Sequence, residues 1–209
     1  MKKIATICLI LLTINAHAIL NDDVISLQHR WAVIKYQVNQ DKQQQEFSNL
    51  LDRANSMLAA NIENPDFLVW HAIVESSYAG SLNSVNPFAL GYAYSAKSNL
   101  EKAIEIDGDV LSGSAYTSLG VLYSKVPGWP LGFGDDEKAN QFLLKGLAIN
   151  PNGIDPNFFY AEYLIKNNKI DEAKPYIQKA LNAQQRPNRV IADQGRMKEV
   201  KKLKENLGM

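Results

Sequence analysis

Apolar residues recur along the chain at the three- and four-residue spacing of amphipathic helices, and no window sustains the period-two alternation of a half-buried strand. Leu20, Val24, Leu27, Trp31, Ile34 and Val38 form the first stripe. Phe47, Leu50, Leu51, Ala54, Met57 and Leu58 form the second, which Asn64-Pro65 closes. The polar run from Gln37 to Gln45 reads as a solvated turn between them. Farther along, Ala72 marks a helix followed by another carrying Ala96, Leu100 and Ala103. Tyr116, Leu119, Gly120 and Tyr123 precede Ala139, Leu143, Gly146 and Leu147 in the same way. A last segment, about Ile191 to Leu207, puts Met197, Val200, Leu203 and Leu207 on one side. Arg196, Lys198, Lys201, Lys202 and Lys204 crowd the other.

The least interrupted hairpin sets the register. Ala161, Leu164, Asn168, Ala173, Ile177, Ala180 and Leu181 carry the spacing of a tetratricopeptide repeat over roughly residues 155–187. Small residues stand where two helix axes approach closely, and Asn168 suits a left-handed turn. Ala161 to Ala173 is twelve residues, whereas Gly120 to Ala139 is nineteen and Ala72 to Ala96 is twenty-four. The first excess predicts a seven-residue insertion within residues 126–134. The second predicts a longer turn of about twelve extra residues, including residues 83–87. The expected fold is all-α: a tetratricopeptide-like helical-repeat solenoid of four helix hairpins plus a C-terminal capping helix. The basic face of that last helix is most simply a soluble outer surface, in preference to an anionic-lipid binder.

The N-terminus changes the extent of the folded chain. Lys2 and Lys3, the apolar stretch from Ile4 to Ile14 and Ala16-His17-Ala18 read as a signal peptide over residues 1–18, cleaved before Ile19. Eleven apolar residues cannot cross a hydrocarbon core that needs about 20. No later run reaches the length of a transmembrane segment. Residues 19–209 are then expected to form one domain in the periplasm. Cys8 is the only cysteine, and Ile7 stands where a lipoprotein signal needs a small residue, which disfavours lipid anchoring. Processing would leave no thiol, which suits an oxidising compartment. Removing Lys2 and Lys3 from 22 basic groups leaves 20 against 22 acidic ones. That balance gives no electrostatic footprint for nucleic acid.

Catalytic patterns are missing. His71 and Glu75, one helical turn apart, could offer two metal ligands, but no third is visible and the neighbours read as core. Asp107-Gly108-Asp109 opens like a calcium loop, yet Leu111 and Ser118 fall where oxygen ligands are needed. Asp135-Asp136-Glu137 complements a helix N-terminus and would repel a phosphate there. We therefore expect no enzyme, no cofactor and no metal. The binding candidates are aromatic: Trp129 and Phe133 in a loop stiffened by Pro127 and Pro130, with Tyr92 and Tyr94 on a possible concave face. Two readings stay open for the loop: either it presents these rings to a partner, or both rings fold back as core. The cost of exposing a tryptophan favours the second. Tyr116 and Tyr123 occupy repeat-framework positions.

Three stretches together resemble one family. They are Ser114-Ala115-Tyr116-Thr117-Ser118-Leu119-Gly120, the loop Val126-Pro127-Gly128-Trp129-Pro130-Leu131-Gly132-Phe133-Gly134-Asp135-Asp136, and Asn150-Pro151-Asn152-Gly153-Ile154-Asp155-Pro156-Asn157. The family is that of exported tetratricopeptide-type proteins related to the T component of TRAP (tripartite ATP-independent periplasmic) transporters. The resemblance runs from about Phe47 to the segment ending at Arg196. It implies a periplasmic scaffold accompanying a solute-binding protein, a hydrophobic channel and a homotrimer. Transporter-associated members resemble lipoproteins, whereas this chain lacks a convincing lipid-acceptor cysteine. The leading expectation is a non-enzymatic scaffold that docks a periplasmic partner protein, such as the solute-binding protein of a TRAP-type system. The alternative is a carrier of a small hydrophobic molecule in the groove or channel.

Overall fold

A computed structural model describes residues 22–82 and 86–208. The signal peptide assigned to residues 1–18, and Leu20 of the first stripe, lie outside them. The described residues form α1 (Asp22–Gln37), α2 (Gln40–Ala60), α3 (Pro65–Ser81), α4 (Phe88–Ile106) and α5 (Val110–Lys125). They continue with α6 (Asp136–Ile149), α7 (Ile154–Lys166), α8 (Ile170–Leu181) and α9 (Val190–Asn206). Among them there is no strand. Consecutive helices pack as four hairpins, each leaning on the next, with α9 last.

Small side chains permit that close packing. Ala72, Ala96, Ala103, Ala115, Ala139, Ala161, Ala173 and Ala180 are wholly buried. At Gly120 a Cβ would sit 2.7 Å from Leu143 Cγ and 2.9 Å from the Leu143 backbone nitrogen. Asn168 takes the left-handed turn at φ 61°. The repeat register read from these residues therefore holds.

The two long hairpins use their extra residues differently. Beyond Gly120 the surplus of seven lies wholly in the ten-residue connection between α5 and α6. Between Ala72 and Ala96 most of the surplus is helix instead: relative to α7 and α8, α3 runs four residues farther and α4 begins five residues earlier. The connection itself spans only residues 82–87, so the expected long insertion is corrected to two lengthened helices. The solvated turn expected from Gln37 to Gln45 also shrinks, to Val38 and Asn39. Glutamine is a good helix former, and the exposed first turns of α2 carry little apolar pattern to reveal them. Asn64-Pro65 opens α3 where it was expected to close α2: the Asn64 side chain accepts from the Asp66 backbone N–H at 2.9 Å. Proline costs no hydrogen bond in a first turn.

The last helix is more than a cap. It packs on α7 and α8, and also on α1. Ala192 joins the apolar cluster of Val24, Leu27 and Trp31, while Val200 joins that of Leu164 and Ile177. A Cβ on Gly195 would lie 2.3 Å from Tyr36 Cγ, so only glycine lets α9 approach α1 this closely. Arg196, expected on the polar outer face, is only 7% exposed. The solenoid closes on itself.

Candidate functional site

Two regions stand out, the loop between α5 and α6 and the open cavity on the inner face of the solenoid. Backbone bonds pin the loop at its base. Gly134 N–H donates to Pro127 O at 2.9 Å, and Asp135 N–H to Tyr123 O at 3.0 Å. The Asp135 side chain accepts from the Glu137 and Lys138 backbone N–H groups, each at 3.0 Å, and so caps α6. A Cβ at Gly134 would fall 2.0 Å from Val126 O, so the loop closes only around glycine.

The two expected loop anchors part company. Phe133 turns inward, its ring 4.9 Å from Tyr94 and 5.5 Å from Tyr123 in edge-on contacts. Trp129 does not follow: it is 90% exposed, with Leu131 at 72% beside it and Pro127 and Pro130 also exposed. The favoured reading that both rings fold back is thus corrected for Trp129. Phe133 already fills the space between Tyr94 and Tyr123, while the Pro-flanked tip is held outward. Tyr94, half exposed, joins this surface, whereas Tyr92 packs edge-on to Tyr78 at 5.0 Å on the first apolar cluster. Leu131, part of the expected loop, is not marked as a contact residue by the sequence because it lies between a proline and a glycine, outside any periodic stripe.

His71 plays a structural part. It is buried, with Nε2 hydrogen-bonded to Asn55 Oδ1 at 2.7 Å and Nδ1 3.1 Å from Asn99 Nδ2. Glu75 Oε2 lies 3.2 Å from the same Nδ1. Among the described residues no three potential metal ligands cluster.

The cavity, open to solvent on one side, has a volume of about 1170 Å³ and is faced chiefly by the first helix of each hairpin and by α9. Aromatic walls from Trp31, Tyr36, Trp70, Phe158 and Phe159 alternate with hydroxyls such as Ser76 and Ser114. At one end lies a charged network that single-helix patterns did not reveal. Asp155, in the first turn of α7, accepts from Arg196 Nε at 2.9 Å and Arg186 Nη2 at 3.0 Å. Asp193 accepts from the Arg186 backbone N–H at 2.7 Å and from its Nε at 2.9 Å. Arg196 Nη1 donates to Glu199 at 2.6 Å, and the Tyr36 hydroxyl to the same oxygen at 3.2 Å. Burial would raise the Asp155 carboxyl, but Arg196, Arg186 and Arg189 overcome it and hold its pKa at about 2. Burial, and then neighbouring Arg186, lowers Arg189 to about 10, with Asp155 and Asp193 opposing, so it remains a cation at neutral pH.

Together these features define an all-α helical-repeat fold with a projecting loop and an open polar-aromatic cavity. The tetratricopeptide repeat family matches residues 154–187, the hairpin of α7 and α8. No curated protein matches the chain. The described residues thus have an all-α, tetratricopeptide-like helical-repeat fold, an architecture that generally serves protein–protein interaction.

Proposed function

We propose that the chain is a non-enzymatic docking scaffold of the periplasm that holds a partner protein through the loop between α5 and α6. The supporting observation is Trp129, 90% exposed at the tip of a loop whose base is pinned by glycine contacts and backbone bonds. A large ring carried on a loop whose backbone is already pinned spares the ordering of that backbone on binding, and aromatic residues dominate interface hot spots. Resemblance to the T components supports a solute-binding protein as the partner, an accessory role in TRAP-type transport and a homotrimeric assembly.

Trp129→Ala should weaken capture of a purified solute-binding protein by about 2 kcal/mol or more. Its melting curve should stay at wild type, because an exposed ring leaves no cavity. Unchanged affinity in calorimetry would remove the loop from the interface. Export is checked separately. N-terminal sequencing of the protein recovered from the periplasm should begin at Ile19, and an acylated Cys8 there would establish a lipid anchor instead.

A further inference from the structure

Two buried donors without acceptors meet in the central cavity. Trp70 Nε1 and Arg189 Nε are buried and, among the described residues, have no hydrogen-bond partner. The Arg189 guanidinium lies 4.9 Å over the Trp70 ring, and both residues line the cavity. Leaving a buried donor unpaired costs about 1–3 kcal/mol, so two side by side are an expensive arrangement for a fold to keep. The nearby carboxylates are already engaged. Asp155 and Asp193 serve Arg186 and Arg196, while Glu199 serves Arg196 and Tyr36.

The rest of the lining points the same way. Its basic groups are Lys35, Lys125, Lys179, Arg186, Arg189 and Arg196; its acidic ones are Asp155, Glu162 and Glu199. Lys125 pairs with Glu162 at 3.2 Å, and the Arg186–Arg196 network absorbs the other two acids, so the surplus is cationic. A simple inorganic anion would leave the aromatic walls wet. We propose that this cavity binds an amphipathic organic anion, with its oxyanion head at Arg189 and Trp70 Nε1 and its apolar body along Trp31, Tyr36, Phe158 and Phe159. The head brings acceptors to two donors that lack them, and charge to a guanidinium that makes no close ion pair among the described residues. A carboxylate and a phosphate monoester share this chemistry. The volume suffices, since ligand pockets typically run about 300–1,000 Å³. None of residues 126–135 lines this cavity, so the site is separate from the docking loop.

Calorimetric titration of the mature chain with octanoate, octyl phosphate and 1-octanol tests the assignment. At least one anion should bind at least tenfold more tightly than octanol, which shares the chain but not the charge. Preference between the two anions identifies the head group. Arg189→Gln should weaken the preferred anion at least tenfold. Trp70→Phe, which keeps a ring and removes the donor, should weaken it about threefold. Equal binding of octanol, no binding of either anion, or an unaltered affinity in Arg189→Gln would overturn the proposal. Should a variant fail to fold, the comparison of anion with alcohol on the unaltered chain still decides it.

Discussion

Replacing Asp155 by asparagine is expected to release α9 from α7 and lower stability by about 3 kcal/mol. Removing one partner of a buried ion pair costs about 3–5 kcal/mol, because the other charge is left uncompensated. The lower end applies here, since 27% of the Asp155 side chain stays exposed while Arg196 is nearly enclosed. Asparagine keeps an acceptor oxygen but not the charge that Arg186 and Arg196 both use. The pH dependence has a definite sign. Asp155 has a pKa of about 2 in the folded chain against an ordinary 3.8, so its stabilisation is complete above about pH 4 and vanishes as pH falls towards 2. Urea denaturation at neutral pH should therefore separate wild type from Asp155→Asn, and the gap should close in acid. A constant gap from pH 7 to pH 2 would show that the charge is not what matters.

Gly120→Val should be comparably damaging for a steric reason. Its Cβ would lie 2.7 Å from Leu143 Cγ, 2.9 Å from the Leu143 backbone nitrogen and 3.1 Å from Ala139 O. Two of those three atoms are backbone, so α5 and α6 must separate, at a cost of about 3 kcal/mol or more for a core already packed. Gly91, inside α4, provides the contrast, because no atom of the described residues stands within 4 Å of its added Cβ. Gly91→Ala should gain about 0.5–1 kcal/mol through helix propensity alone. Thermal melts of the two variants should move in opposite directions. A wild-type melt for Gly120→Val would contradict the close contact on which the repeat register rests.

The repeat was legible because small residues must stand wherever two helices touch, and their spacing repeats. Counting residues between Gly120 and Ala139 located the inserted loop for the same reason. Between Ala72 and Ala96 the same counting measured length without revealing conformation, and the surplus proved to be mostly helix. Arg196 was misplaced because charge on one helix says nothing of an acid on another. Its partner Asp155 lies 41 residues earlier, in the hairpin of α7 and α8. The cost of solvating a tryptophan likewise says nothing about a loop whose base is already closed around glycine. Arg189 and Trp70 escaped notice because neither carries meaning until closure of the chain brings them together.

Contact between α1 and α9 alters how this protein should fold and unfold. An open array of repeats behaves as a one-dimensional chain of nearest neighbours that can melt from either terminus. Here the hydrogen bond from Tyr36 to Glu199 joins residues 163 positions apart, so the first and last of the described helices brace one another against fraying. Each hairpin can form from local contacts, whereas the joint between the first and last must wait until the whole arc is in place. Such a non-local contact delays the final step of folding and, once made, ties separate repeats into a single cooperative unit.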